Sequence, residues 1–376
     1  MRNLLLAFLA IPVLLLSGCK PSNDVASSSA TVSAEPSPFA SAYEWLAAQQ
    51  REDGSFSNTD FPAITAFAMQ ALHISNNPRY TPNIDKAVAF ILTHVQPDGG
   101  IYTPIPNRRG GGLSNYNTAI CMTALASLKR PELTPVLLNA RTFMAASQEL
   151  DDEVFGGGFG YDRDNDRAYS DITNTSYALE AMRVTQGLED HRPAGQKKAD
   201  INWEAALRFV EGLQNSSDTG DHNAGGFHYT YNDARWGVET NTVQTVDGPE
   251  ERIVFRSFGS VTYQGLLSMI HCQLSPRDPR VISALDWAAR HWTLEENPGA
   301  GVQGVYFFYN VMARALSAAQ TDEIETPDGL IAWRTELSEK LKTLQLPDGE
   351  WLNENARFME NDPVLVTAYV LIALAQ

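Results

Sequence analysis

The sequence predicts an all-α protein, a closed double-layered barrel built from six helical hairpins. A short Gly/aromatic turn signature recurs six times between Gln49 and Trp351, and an apolar run rich in Ala and Thr follows each copy. The helical runs also alternate between segments with one apolar face and segments that are apolar nearly all round. A repeat of this length is one supersecondary unit that buries its apolar face only against its neighbours. Function is therefore expected in the space that the stacked units enclose.

The turns share glycines, which supply positive φ values, and an aromatic side chain that fills the space between neighbouring hairpins. They read QQREDGSF (Gln49–Phe56), QPDGGIY (Gln96–Tyr102), GGGFGY (Gly156–Tyr161), AGGFHY (Ala224–Tyr229), a degenerate ENPGAG within Glu295–Gly301, and QLPDGEW (Gln345–Trp351).

The outer helices are predicted from apolar residues on one face only. In Asn83–Val95, for example, Ile84, Val88 and Ile91 recur at helical spacing. The same pattern predicts outer helices at Ala42–Gln50, Asn83–Val95, Pro135–Gln148, Asn202–Gln214, Pro279–Trp292 and Ile331–Leu344.

The inner helices are predicted from segments that lack a polar face, such as Asn115–Leu128, and are therefore buried on both sides. An open solenoid would leave its terminal inner helices uncovered, and no polar capping repeat is visible, so the barrel is predicted to close. The predicted inner helices are Pro62–His73, Asn115–Leu128, Thr173–Thr185, Ser260–Cys272, Gln303–Ala319 and Pro363–Ala375.

The first residues predict export. A basic Arg2 precedes the short apolar run Leu4–Leu16, which fits a secretory signal over residues 1–18. Leu16-Ser17-Gly18-Cys19 resembles the bacterial lipobox, which implies a lipoprotein whose Cys19 carries acyl chains such as palmitate. Cys19 would then hold the protein to a membrane of the bacterial cell envelope on the extracytoplasmic side; the alternative is an ordinary signal peptide that contains a cysteine. Residues 19–38 have few large apolar side chains and predict a flexible tether, and residues 39–376 form the globular body.

The chain has a formal net charge of −17, which excludes nucleic acid as an expected partner. Apart from Cys19, the cysteines are Cys121 and Cys272, both in apolar helical runs. Two free thiols and a disulfide both remain open in an exported protein.

The turns resemble the QW repeats of the terpene-cyclase and protein-prenyltransferase superfamily, with Trp351 after Asp348-Gly349-Glu350 as the closest match. The resemblance covers Ser41–Gln376 and implies an (α/α)6 toroid. The chain is about half the size of a two-toroid squalene cyclase. It resembles the single-toroid bacterial proteins that carry prenyltransferase and squalene oxidase repeats.

The resemblance also permits a test of the family's chemistry. Class II cyclases protonate an alkene with the central acid of Asp-x-Asp-Asp-Thr-Ala, and the matching segment here is Asp171-Ile172-Thr173-Asn174-Thr175-Ser176. A hydroxyl (Thr173) and an amide (Asn174) replace the acid and its neighbour, so this protonation is not expected. Asp171 remains as a weak catalytic candidate, with a helix cap as the alternative interpretation.

No metal or other cofactor is expected. The Asp-x-Cys zinc motif of prenyltransferases is absent, and His271 and Cys272 are adjacent residues that cannot easily share one ion. The alternating acids of Asp162–Asp166 lack the glycine and closing glutamate of an EF-hand, so they predict an acidic loop rather than a calcium site. The run Asp151–Glu153 is the other group of carboxylates, and such runs usually lie at the surface.

Aromatic and polar residues near the N-terminal halves of the inner helices predict the lining of the barrel. The candidate ligand-binding residues are Tyr116, Asn117, Asp171, Asn174, Tyr177, Thr262, Tyr263 and Tyr309. The leading hypothesis is a membrane-tethered toroid that lacks its relatives' chemistry and binds an apolar, isoprenoid-like ligand or a protein partner. One alternative is a divergent enzyme, either a terpenoid cyclase or a carbohydrate-active hydrolase or lyase. The other is a scaffold whose mouth is plugged by the Arg235–Arg256 insertion.

Overall fold

The computed structural model describes residues 38–105, 112–163, 169–216, 222–231 and 237–376, which form one compact unit, Pro38–Gln376. Twelve α-helices lie in these residues and alternate between an outer and an inner layer. The outer helices are α1 (Ala40–Ala48), α3 (Thr81–Leu92), α5 (Thr134–Ala146), α7 (Trp203–Gly212), α9 (Pro279–Arg290) and α11 (Trp333–Leu344). The inner helices are α2 (Pro62–Ile74), α4 (Ser114–Ser127), α6 (Ile172–Val184), α8 (Gly259–His271), α10 (Val305–Ala318) and α12 (Pro363–Leu374). Each predicted helix is present, with ends that differ by at most three residues.

The inner helices form a closed ring. Each packs against the next in the order α2, α4, α6, α8, α10 and α12, and α12 packs back against α2. The outer helix α1 covers this last joint because it contacts both α12 and α2. The predicted (α/α)6 toroid of six helical hairpins is therefore confirmed.

Burial follows the two layers. On α12 every residue from Val364 to Ala373 is buried, because neighbouring helices and the barrel interior cover all its sides. On α7 the buried residues are Ala205, Ala206, Phe209 and Val210, which form one stripe at helical spacing.

A glutamine anchors the Gly/aromatic turns. In the third hairpin the Gln148 side-chain amide donates to the carbonyl of Gly157 (2.9 Å) and to that of Asn202 (3.0 Å), where the next outer helix begins. The same double contact recurs at Gln50, with Gly54 and Asn83, and at Gln214, with Gly225 and Arg280. These three turns are thereby tied to the following hairpin.

A threonine on the inner helix fixes the residue at the aromatic position of the turn. The Phe159 backbone N–H donates to Thr175 Oγ1 (3.0 Å). The equivalent pairs are Phe56 with Thr65, Ile101 with Thr118, Phe227 with Thr262, and Trp351 with Thr367. These contacts give a structural reason for the threonines that follow the turns in the sequence.

Two β-hairpins interrupt the helical pattern, and the sequence pattern did not predict them. Strands β1 (Val238–Thr245) and β2 (Gly248–Phe255) pair antiparallel within the long insertion, and β3 (Ile324–Thr326) pairs with β4 (Gly329–Ile331).

The outer helix α5 carries a charged side chain, Arg141, that is fully buried. It donates to Glu189 (2.8 Å) and to the carbonyls of Met182 and Ala199.

The signal peptide, Cys19 and nearly all of the tether lie outside the described residues, and so does part of the acidic loop after Arg163. Cys121 is buried, Cys272 is partly buried, and both are free thiols. Across the described ranges no helix is long and apolar enough to cross a membrane.

Candidate functional site

A cavity of about 280 Å³ opens at the N-terminal ends of the inner helices. Its lining is mostly aromatic, and Arg357 is the one charged side chain among the described residues that border it. The lining residues are Leu113, Tyr116, Tyr161, Tyr169, Thr173, Tyr177, Tyr229, Phe258, Ser260, Val261, Gly304, Phe307, Arg357, Phe358, Met359 and Tyr369.

Aromatic rings from different inner helices meet across the barrel beneath this opening. Tyr177 of α6 lies edge-on to Tyr116 of α4, with ring centroids 5.6 Å apart, and contacts Phe67 of α2 at 6.2 Å. Phe67 in turn lies edge-on to Tyr369 of α12 at 5.0 Å. Edge-to-face contacts of this kind are favourable and fix ring positions, so the cavity has a firm aromatic floor.

An ion pair lies below the aromatic floor. Arg314 of α10 and Glu180 of α6 are bound together, with side chains only 12% and 13% exposed. Burial alone would raise the pKa of Glu180, but the nearby Arg314 guanidinium outweighs it and the pKa is lowered. The pair is therefore charged, and each member satisfies the other.

Asp171 is fully buried at the start of α6, behind the cavity wall. Its Oδ1 accepts from the Asn174 backbone N–H (2.9 Å), and its Oδ2 accepts from the Asn174 side-chain amide (2.7 Å). It also shares a hydrogen bond with the hydroxyl of Tyr229, which lines the cavity. Burial raises the pKa of Asp171 to about 7, and these hydrogen bonds keep it from rising further.

A polar side chain caps the first turn of every inner helix. The six N-termini meet at the mouth, where the helix dipoles favour carbonyl and carboxylate oxygens. The capped amides and their acceptors are Ala63 with Asn117, Ser114 with Asp162, Asn174 with Asp171, Ser260 with Asn297, Phe307 with Glu360, and Val364 with Asp362. Asp171 is thus one of six caps, as its alternative interpretation predicted.

Glu360 is another buried carboxylate of this ring, and no sequence pattern indicated it. Its Oε1 accepts from the Phe307 N–H (2.7 Å) and its Oε2 from the Asn353 amide (2.6 Å). Burial raises its pKa to about 7. The contact with Phe307 joins residues 53 positions apart, which no local motif reveals.

The candidate residues divide into two groups. Tyr116 and Tyr177 line the cavity. The others lie in the surrounding wall: Asn117 and Asp171 cap helices, Asn174 holds Asp171, Thr262 accepts from Phe227, Tyr263 packs on Phe308, and the Tyr309 hydroxyl donates to the Leu294 carbonyl.

Several lining residues come from turns rather than helices and were not predicted. Tyr161 and Tyr229 are the last residues of two Gly/aromatic signatures, and their hydroxyl oxygens lie 3.4 Å apart. Their position two residues beyond the buried aromatic of each turn is the signal that would have identified them.

Phe358 and Met359 form the rim of the cavity. Both have left-handed backbone conformations, with φ values of 60° and 64°, and their side chains are 46% and 39% exposed. Two adjacent non-glycine residues in this conformation carry strain that the surrounding contacts must offset. Phe358 packs against Gly304, where a Cβ atom would lie 3.0 Å from the ring.

No described residue of β1 or β2 borders the cavity, so the described part of the insertion does not plug it. Over the same residues, no group of three or more His, Cys, Asp or Glu side chains is placed to hold a metal ion. Burial lowers the pKa of His271 to about 4 and raises that of Cys272 to about 12, so both are neutral near pH 7.

No family model matches the chain, and no curated relative matches it either. Several solved structures do match the fold of the chain. A variant of the type II terpene cyclase MstE from Scytonema superposes with a TM-score of 0.53 at 10% identity, over 90% of this chain and 95% of that one. A variant of MstE in complex with geranylgeranyl dihydroxybenzoate, its substrate, superposes with a TM-score of 0.51 at 11% identity, over 90% of this chain and 95% of that one. The GH76A α-1,6-mannanase of Salegentibacter sp. HEL1_6 superposes with a TM-score of 0.53 at 12% identity, over 89% of this chain and 99% of that one.

These likenesses establish the fold. The chain has the helical toroid that terpene cyclases share with GH76 mannanases, as the repeats predicted. At 10–12% identity the comparison assigns neither chemistry to this chain.

Proposed function

We propose that this protein is an exported, lipid-anchored toroid that binds a small apolar, isoprenoid-like ligand at the mouth of its barrel. The observation that supports this proposal is the aromatic cavity at the N-terminal ends of the inner helices. Six tyrosines and three phenylalanines border it, which suits an apolar ligand with few polar atoms.

The size of the cavity limits the ligand. Pockets for drug-sized ligands span roughly 300–1,000 Å³, and this cavity of about 280 Å³ lies just below that range. A ligand with a skeleton of about ten carbons is therefore a better match than one with a geranylgeranyl chain, such as the substrate of MstE.

Binding without cyclisation is favoured by the residue at the position of the cyclase acid. Thr173 borders the cavity, and its hydroxyl donates to Gln264 Oε1 (2.9 Å). A threonine hydroxyl cannot protonate an alkene, and the interaction with Gln264 already uses its proton.

The anchoring part of the proposal depends on Leu16-Ser17-Gly18-Cys19. Metabolic labelling with an alkyne analogue of palmitate should modify the wild-type protein and leave a Cys19→Ala variant unlabelled. Equal labelling of both proteins would contradict anchoring through this residue.

The binding part is tested by filling the cavity. Thr173→Phe adds a ring at the lining, and Thr142→Phe makes the same change at an exposed site on α5. With the monoterpene limonene as the probe, native mass spectrometry or calorimetry should detect binding to the wild type and to Thr142→Phe. Binding to Thr173→Phe should fall at least ten-fold. Equal binding to both variants would contradict the assignment of the cavity.

A second candidate function, proton transfer by a divergent enzyme, is supported by Asp171. Its carboxyl group is buried, has a pKa of about 7 and is hydrogen-bonded to Tyr229, so it can exchange a proton with the cavity through that hydroxyl. Geraniol, a ten-carbon isoprenoid alcohol, incubated with the protein should then give a product by mass spectrometry, and Asp171→Asn should abolish it. Turnover that survives this substitution would remove Asp171 from any mechanism.

A carbohydrate-active function has less support. Glycosidases use two carboxyl groups at the scissile bond, and no Asp or Glu occurs among the described residues that border the cavity. The Asp151–Glu153 run lies in an exposed loop.

A further inference from the structure

The hydroxyl of Tyr177 is a buried hydrogen-bonding group without a protein partner in the described part of the chain. The side chain is 4% exposed, and its ring forms part of the cavity floor. We propose that Tyr177 donates a hydrogen bond to an oxygen atom of the ligand. The ligand would then be an apolar skeleton with one ketone or alcohol group at its buried end. This inference rests on the proposed function and specifies its ligand class.

The neighbouring polar groups are already paired with one another. The hydroxyl of Tyr116 shares a hydrogen bond with that of Tyr369, Thr173 donates to Gln264, and Glu180 is bound to Arg314. Tyr177 therefore retains its proton as an unused donor at the floor of the cavity. A ligand oxygen would recover the interaction that the hydroxyl lost when it was removed from water.

The surroundings of the hydroxyl also favour a ligand oriented with its polar end inward. Below the floor, Tyr177 borders a small void of about 10 Å³ together with Asn310, Glu180 and Arg314. The Asn310 Oδ1 atom is likewise buried and has no partner among the described residues. The unused donor thus lies on the inner side of the cavity and the unused acceptor lies at the void below its floor, whereas Phe358 and Met359 form the rim.

Three probes with the same carbon skeleton test the inference: the hydrocarbon limonene, the ketone carvone and the alcohol carveol. We expect the wild type to bind carvone and carveol about ten-fold more tightly than limonene, the ratio that one good hydrogen bond supplies. A preference for carvone, whose oxygen can only accept, supports the donor role of Tyr177. A preference for carveol alone would contradict that role, because the ligand oxygen would then act as a donor.

The variant Tyr177→Phe should remove this preference and keep limonene binding unchanged. The matched control is Tyr306→Phe, because Tyr306 is a buried tyrosine of an inner helix that does not border the cavity. This control should keep the wild-type ratio. A purely structural role for Tyr177 would change the urea midpoint of unfolding without changing the ratio of affinities.

The outcomes separate the two proposals. If limonene binds the wild type as tightly as carvone does, or if Tyr177→Phe retains the preference, the role of Tyr177 is wrong while the cavity assignment stands. If none of the three probes binds the folded wild type, the proposed function fails and this inference fails with it.

Discussion

Substituting Asp171 by Asn should change how the stability of the protein depends on pH. The pKa of Asp171 is about 7 in the folded protein, against 3.8 for an aspartate in water. Between these values the folded state binds more protons than the unfolded state, so this residue's contribution to stability falls as pH rises from about 4 to about 7. Asparagine cannot ionise, and its side-chain oxygen can still accept from the Asn174 N–H.

The magnitude follows from the two pKa values. One pH unit of difference corresponds to about 1.4 kcal/mol, so the full effect for Asp171 is about 4 kcal/mol, of which about 2–3 kcal/mol falls between pH 5 and pH 8. The wild type alone will not reveal it clearly. The pKa values of His228 and His271 are lowered by burial to about 4, so these residues make the protein more stable as pH rises from about 4 to 6.5.

The assay therefore compares the free energy of unfolding of the two proteins. Urea unfolding of the wild type and of Asp171→Asn, followed by tryptophan fluorescence at pH 5, 6, 7 and 8, gives the free energy of unfolding of each. We expect the free energy of unfolding of Asp171→Asn to rise relative to that of the wild type by about 2–3 kcal/mol from pH 5 to pH 8. Glu360→Gln should behave similarly, because the pKa of Glu360 is raised from 4.5 to about 7.

A difference that stays constant across this pH range would refute the reasoning. It would mean that Asp171 ionises in the folded protein as it does in water, so that its hydrogen bonds fully offset its burial. The candidate proton transfer through Tyr229 would then lose the physical basis given above.

Two further changes test the fold. Gly157→Ala should cost about 2–4 kcal/mol in urea unfolding, because Gly157 has a φ of 103° and an added Cβ would lie 2.1 Å from the Ala205 carbonyl oxygen. Gly187→Ala, where nothing lies within 4 Å of the added Cβ, should change stability by less than about 1 kcal/mol; equal losses would contradict the packing argument. Arg141→Met should cost about 3 kcal/mol, because it leaves buried carbonyls without their donor. Arg208→Met, which breaks an exposed ion pair on α7, should cost under about 1 kcal/mol, and a similar loss of thermal stability in both would refute the distinction.

The layers of the barrel could be predicted from the sequence because burial differs between them. An inner helix such as α12 is covered on all sides and accepts apolar residues at every position, whereas α7 retains a polar face. The hairpin of β1 and β2 was missed because most of β2 is exposed and its sequence lacks the alternation of a half-buried strand. The Asp247-Gly248 pair at its turn was the available signal.

The site was predicted less completely than the fold. Helical spacing identified Tyr116 and Tyr177, which project from α4 and α6 into the cavity. Much of the remaining lining comes from turns that fold over the mouth, such as those of Tyr229 and Phe358. Their meeting depends on contacts between distant segments, as the bond from the Phe307 N–H to Glu360 illustrates. Periodicity carries no information about such contacts.

The packing of α12 against α2 closes the ring, and a closed ring should unfold differently from an open row of repeats. In a row of six repeats, five junctions hold the units together, and the two end repeats open first because each has a single neighbour. A circle of six has six junctions, and every repeat is held from both sides. Hydrogen exchange should therefore show similar protection in all the inner helices, and the toroid should melt as one unit rather than fray from its ends.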